Sequence, residues 1–430
     1  MSNDPGESTA ESAPFSATLL PYARSRLDAF LAEIRRLKQS EFPYDDSEAA
    51  LDAVAVYFES FLASLELLSK STDAALIQNQ CSLSLRALQA HLPILGLILR
   101  STNVRNSFEV VAPLKRLAEE VLGSTTGPTV PVKLVLSSEW DYFPFTYKGV
   151  PALPEYVMIG LPASESPNPL LVPLAGHELG HAFWTRDLDL AKQLKSRAKT
   201  HVMKIISDRW EEFVRISPSG KVNEKGEALD DAVLMAVWQP ALEWAAHQCE
   251  ELFCDFLGLR LFGGSFYWSM IYLLSPGFRS RNLGYPDIRG RAEHLTQCGR
   301  VFGVAAPDRY AEYFEPEEEA QLAEADRFRL SVADEARRQM VPHLIALVAE
   351  KFASKSTEAE CDRIRRCFDR RVPSTGVASI VDIVNAGWRA FHDPNLWPKM
   401  PAPKDRHRLL SELVLKSFEV YEIEQILSTP

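Results

Sequence analysis

The stretch Pro169-Leu-Leu-Val-Pro-Leu-Ala-Gly-His177-Glu178-Leu-Gly-His181-Ala-Phe-Trp184 decides how the rest of the chain is read. Asn168 before Pro169 offers an N-cap followed by proline at the first helical position, so a helix is predicted to open here. His177 and His181 lie four residues apart, a little over one helical turn; both imidazoles leave the same face and can share one tetrahedral ion. Two ionisable rings on a largely apolar helix need buried partners, which a metal supplies. Zinc (Zn2+) suits two neutral imidazoles plus a carboxylate, with a fourth position open to water. Glu178 is placed to take the proton of that water as it attacks a carbonyl carbon. Gly180 and Ala182 let another backbone come close. The plainer reading is a helix whose histidines merely find hydrogen-bond partners; a strand-like run upstream and a carboxylate ladder downstream favour the metal.

The ladder is Glu243, His247, Glu251 and Asp255, every fourth residue of an otherwise apolar helix predicted to open at Pro240 and to end at Gly263-Gly264. Such a stripe must face something polar. His177-Glu-Leu-Gly-His181 followed by Glu251-Leu-Phe-Cys-Asp255 resembles the HExxH…ExxxD pattern of gluzincins, the thermolysin-like zinc peptidases. That resemblance implies Glu251 as the third ligand and Asp255 as the carboxylate that hydrogen-bonds a ligand histidine and fixes its tautomer. Glu250 is the rival ligand, but the residue four positions on is Cys254, which fills the aspartate's part less well. The long gap between His181 and Glu251 is closer to the branch of CAAX prenyl proteases and heat-shock peptidases. Tyr285-Pro286-Asp-Ile-Arg-Gly-Arg291 is similar to that branch's HPxxxxR, with tyrosine in place of histidine. The resemblance covers roughly Val157 to His294. Members of that branch are mostly membrane-embedded, whereas the apolar run here from Ser265 to Phe278 meets Pro276 well short of the ~20 residues a bilayer crossing needs. Their substrates therefore do not carry over.

A zinc hydrolase also needs a donor for the developing oxyanion from outside the ligand helices. The candidates, in order, are Tyr285, His294, Arg291 and Tyr272; His247 lies one turn before Glu251 and is placed either to line the site or to be a buried, hydrogen-bonded histidine. Trp140-Asp141-Tyr142-Phe143 would wall a substrate cleft or pack under a loop. There is no Gly-rich phosphate loop and no GxSxG.

Around this centre the expected fold class is α+β and mostly helical: a zincin-like catalytic unit with a small sheet and the HExxH helix, flanked by helical N- and C-terminal regions. The polar, acidic start, residues 1–15, reads as a disordered tail without the features of a signal peptide. Helical periodicity fills 16–125, as in Leu-Asp-Ala-Val-Ala-Val-Tyr-Phe from Leu51. The catalytic domain spans 126–306, with strands at Val130–Ser138 and Glu155–Leu161 and a charged helical insertion at 186–239, read as surface decoration or as a lid. Residues 307–430 are again helical. The strand at Glu155–Leu161 is expected to form the sheet edge against which an extended peptide pairs.

The net charge of −11 opposes the phosphate neutralisation that nucleic-acid binding requires, so the expected partner is a protein or peptide substrate, with no nucleic acid and no membrane insertion. Six scattered cysteines without a CxxC pair fit free thiols in a reducing, cytoplasmic setting. Oligomeric state is not legible. The leading expectation is a zinc-dependent peptidase. A zinc hydrolase of a non-peptide amide or ester, and a non-catalytic zinc-stabilised scaffold, remain as alternatives; an intact Glu178 argues against the scaffold, which needs no base.

Overall fold

The computed structural model describes residues 15–102, 108–123, 132–165, 168–217, 232–277, 281–317, 322–398 and 403–428. Within them the chain is mostly helical with one three-stranded sheet. The expected N-terminal tail, up to residue 14, and the polar loop at 218–231 lie outside the described residues.

Four helices come first: α1 (Phe15–Leu37), α2 (Asp45–Leu68), α3 (Ala74–Leu99) and α4 (Phe108–Leu122). The first three pack through Leu27, Ile34, Val54, Phe58, Leu97 and Ile98. Among the described residues α3 is the one helix long and apolar enough to cross a membrane, which a reading of Ser265–Phe278 alone missed. In this fold it packs on α1, α2 and β1 (Lys133–Glu139).

The sheet order is β1–β3–β2, with β2 at Phe145–Thr146 and β3 at Tyr156–Pro162. β1 runs parallel to β3, in register from Lys133 opposite Tyr156, and β2 pairs antiparallel with Phe145 opposite Gly160. This corrects the expectation for Glu155–Leu161: β3 is the central strand, and the edges are β1 and the two-residue β2 inside the aromatic loop. Alternation explains the continuous apolar runs. Val135 and Met158 face the N-terminal helices, while Leu134, Leu136, Val157 and Ile159 face the main core, so both faces are buried. Gly160 leaves room for the Phe145 ring, whose atoms would lie 2.7 Å from a Cβ there.

Asn168 does cap a turn, accepting from the Leu170 amide, with Pro169 first in it. That turn is a 3-10 segment, Pro169–Leu171; α5 begins only at Leu174, because Pro173 has no N–H and its ring opposes continuation from the preceding turn. After α5 (Leu174–Arg186) follow α6 (Leu188–Asp208), α7 (Trp210–Ile216) and α8 (Ala232–Phe262). α8 runs through Pro240 instead of starting there. Burial of Val237 and Trp238 with Val202, Ile206, Phe213 and Phe328 holds the two turns before the proline in place. Gly263, at φ +59°, makes the break to α9 (Gly264–Leu274). Then come α10 (Ile288–Phe302), α11 (Glu324–Lys351), α12 (Glu358–Asp369), α13 (Ile380–His392) and α14 (Pro403–Ser428). Residues of α11–α14 share the large core of α4, α5, the sheet and α8–α10, which places the HExxH helix at the centre of the fold.

Candidate metal centre

α5 and α8 cross at van der Waals distance because glycine faces the crossing. A Cβ on Gly180 would lie 2.7 Å from Cys254 Cα, and one on Gly176 would lie 3.2 Å from Gly258 Cα. This contact brings the histidines of α5 onto the carboxylates of α8. Glu251, 2% exposed, turns one oxygen to each ring: Oε2 is 3.3 Å from His177 Nε2 and Oε1 is 3.5 Å from His181 Nε2. His247 Nε2 stands 3.7 Å from the same Oε1, while its Nδ1 bonds the Gly284 carbonyl at 2.7 Å.

Behind each ring lies a second carboxylate. His177 Nδ1 bonds Asp255 at 2.9 Å, and Asp255 accepts two bonds from Arg291, at 2.7 and 2.8 Å. His181 Nδ1 bonds Glu250 Oε1 at 2.8 Å, and the same oxygen accepts from Lys148 Nζ at 2.5 Å. Glu250, considered from the sequence only as a rival ligand, thus stands behind the second histidine as Asp255 stands behind the first. Both contacts hold the Nδ1 side and leave Nε2 to face Glu251, the arrangement in which outer carboxylates orient metal-binding imidazoles.

The charges point the same way. Asp255 and Glu250 each have their own cation, whereas among the described residues no Lys or Arg forms an ion pair with Glu251 or Glu178. Glu251 instead faces the imidazoles of His177, His181 and His247, and Glu178 the Thr146 hydroxyl. Burial opposes a proton on His177, yet its hydrogen bonds to Asp255 and Glu251 outweigh burial and lift the imidazolium to about 10. Burial likewise favours a neutral Glu251, but the facing His177 holds it well below the usual carboxylate range.

His177, His181 and Cys254 also form a compact group whose ligand atoms lie within 4.8 Å of one another. Cys254 Sγ, however, sits 3.4 Å from His181 Nδ1, the nitrogen already bonded to Glu250. Burial, reinforced by Glu251, Glu250 and Glu178, pushes this thiol well above its usual range, which disfavours the thiolate a metal would need. Glu251, by contrast, faces the Nε2 atoms of both histidines.

These groups open on a cavity of about 500 Å³, walled by Phe143, Phe145, Leu174, Met270, Leu273 and Ile288 among others. Glu178 lines it, its Oε2 accepting the Thr146 hydroxyl at 2.8 Å. Tyr285 lines it too, edge-on to the His247 ring at a centroid distance of 4.8 Å, its phenol pushed up by burial and by Glu251 and so kept as a donor. Arg291 reaches the cavity but is committed to Asp255.

No family model, curated protein or solved structure matches the chain.

The remaining candidates fall elsewhere. His294 is outside the cavity lining, and burial together with Arg337 depresses it to about 4. Tyr272 bonds Glu165 at 3.3 Å, and Glu243 pairs with Gln239 on the surface. Trp140, 81% exposed, does not pack under a loop; Phe143 and Asp141 beside it line the cavity, and Tyr142 ties this loop to the Leu273 carbonyl. From the helical insertion, neither α6 nor α7 reaches the cavity. Sequence reasoning missed Lys148 and Thr146, and weighed Glu250 only as a rival ligand.

Proposed function

We propose that this chain is a zinc-dependent peptidase built on a zincin-like unit, with His177, His181 and Glu251 as metal ligands and Glu178 as general base. The observation that carries the reading is the convergence of two imidazole Nε2 atoms on the two oxygens of one buried glutamate, each ring held from behind by a carboxylate that has its own cation. Zinc bound there would supply Lewis acidity, polarising a carbonyl and acidifying water.

The protein's own groups do the rest. Glu178, its carboxylate fixed by Thr146, takes the proton of the attacking water and passes it to the departing amine. Tyr285, still protonated, donates to the oxygen on which negative charge develops. β2, the sheet edge bordering the cavity, offers main-chain pairing to an extended peptide, and the apolar walls exclude bulk water around the reacting carbonyl.

Glu178→Gln tests this directly. The amide cannot accept a proton, so zinc content and melting temperature should stay at wild-type values while hydrolysis of a peptide library falls by ~10²–10⁴-fold. Full hydrolysis by a zinc-loaded Glu178→Gln variant, or a wild-type protein that takes up no zinc on titration, would end the peptidase reading. A scaffold predicts the reverse: Glu178→Gln behaves as wild type while His177→Ala fails through loss of a metal-held fold.

A further inference from the structure

Thr146 and Lys148 are two residues apart on the edge strand and its continuation, where Tyr147 N still bonds the Met158 carbonyl at 3.2 Å. Strand alternation gives them one face and Phe145 and Tyr147 the other; the two aromatic rings pack on the core that the N-terminal helices share with Val135, Leu153 and Met158, with Phe145 also reaching the cavity wall. The opposite face looks onto the metal centre. There Thr146 holds Glu178, and Lys148 Nζ meets the Glu250 oxygen that also bonds His181 Nδ1.

Glu250 has competing options. It neighbours the ligand Glu251 on α8, and Cys254 Sγ approaches the same His181 nitrogen at 3.4 Å. The ammonium of Lys148 draws the Glu250 carboxylate to the far side of the ring. It also aligns the acceptor behind the ring, so that the Nδ1 side of His181 is held and Nε2 faces Glu251. Arg291 does the same for Asp255 behind His177, so each histidine is backed by a carboxylate and then by a cation. The two cations differ in origin: Arg291 comes from α10, in the packed core, while Lys148 comes from the edge strand that borders the substrate cavity.

We infer that Lys148 is a positioning residue of the metal centre, acting through Glu250 to fix the orientation of His181. The inference rests on the zinc reading above and adds a residue outside the metal-binding motif. It is tested by titrating Zn2+ into the full-length metal-free protein against a competing chelator.

Lys148→Met, which keeps the length of the side chain and removes the charge, should weaken Zn2+ affinity roughly tenfold or more, the usual cost of losing an outer partner of a ligand. Its melting temperature without metal should move little, because the ammonium is partly exposed. Lys148→Arg should restore affinity, and in a Glu250→Gln background Lys148→Met should cost nothing further. Wild-type affinity in Lys148→Met, no rescue by arginine, or a full additional loss in the Glu250→Gln background would overturn the inference. So would a Lys148→Met chain that does not fold, since the lysine would then serve the whole fold. A wild-type chain that binds no Zn2+ is a separate result, and it defeats the metal reading itself.

Discussion

Gly180→Ala puts the α5–α8 crossing under load without removing a single polar group. The added methyl would stand 2.7 Å from Cys254 Cα, 2.8 Å from its Sγ and 2.9 Å from its Cβ. Carbon contacts are ordinarily ~3.5–4.0 Å, so the helices must part by about 1 Å. Alanine gains ~0.5–1 kcal/mol over glycine inside a helix, and overpacking costs ~1–3 kcal/mol, leaving a net loss of no more than about 2.5 kcal/mol. The fold should survive. The centre is far less tolerant, because His177 and His181 ride on α5 and Glu251 on α8, with 3.3 and 3.5 Å between them. A displacement of that size should weaken zinc binding about tenfold and lower turnover by up to ~10²-fold. Chelator competition, a thermal melt and a hydrolysis assay on one preparation separate the three effects. Gly264→Ala is the control, since its Cβ meets Asn385 at an ordinary 3.9 Å and should leave zinc binding unchanged. A folded Gly180→Ala protein with wild-type zinc affinity would refute the claim that this crossing sets the ligand geometry.

Asp255→Asn should do more than loosen zinc: it leaves Arg291 buried without its countercharge, a loss of ~3–5 kcal/mol, visible as a lower urea midpoint even without metal. An unchanged midpoint would show that Arg291 finds another partner. Tyr285→Phe should reduce kcat by ~10²-fold with little change in KM, as removal of an oxyanion donor does, whereas Tyr272→Phe should leave both unchanged; equal effects of the two would remove Tyr285 from the role. His294 gives a pH signature. The unfolded chain protonates it near 6.5 and the folded chain resists to about 4, so between those values the unfolded state binds more protons and stability falls as pH falls. Urea titrations at stepped pH should show this slope flattened in His294→Gln, and an identical slope would place the acid sensitivity elsewhere.

The parts of this centre that could be read from sequence are those that local geometry dictates. The pairing of His177 with His181 follows from the helical repeat, as does the polar ladder on the second helix, while the parts of Glu251 and Asp255 within it came from the resemblance to gluzincins. Gly180 was also legible, as a residue that permits close approach, although only the fold shows Cys254 to be the neighbour. β2 was not legible: two residues are too few for alternation to register, and nothing local to Glu155–Leu161 states whether a strand lies at the centre or the edge of its sheet. Nor does helical spacing reveal that α8 runs through Pro240, because the packing of Trp238 outweighs the preference of proline for a first turn.

The two supports behind the histidines show where that boundary falls. On the His177 side the carboxylate sits one turn beyond Glu251, where the gluzincin pattern implies it. On the His181 side the carboxylate is the immediate neighbour, Glu250, about 100° around the helix, where spacing arguments see only a competitor for the metal. What holds Glu250 behind His181 in the proposed centre is a lysine on another element, and the pairing of Lys148 with it depends on how the edge strand docks against α5. Glu250 is therefore a ligand candidate in the sequence and a supporting group in the fold. On the zinc reading, replacing it should weaken metal binding through His181 without removing a ligand. That outcome differs from both sequence-level alternatives, in which Glu250 is either the ligand, whose loss abolishes binding, or a bystander whose loss costs nothing.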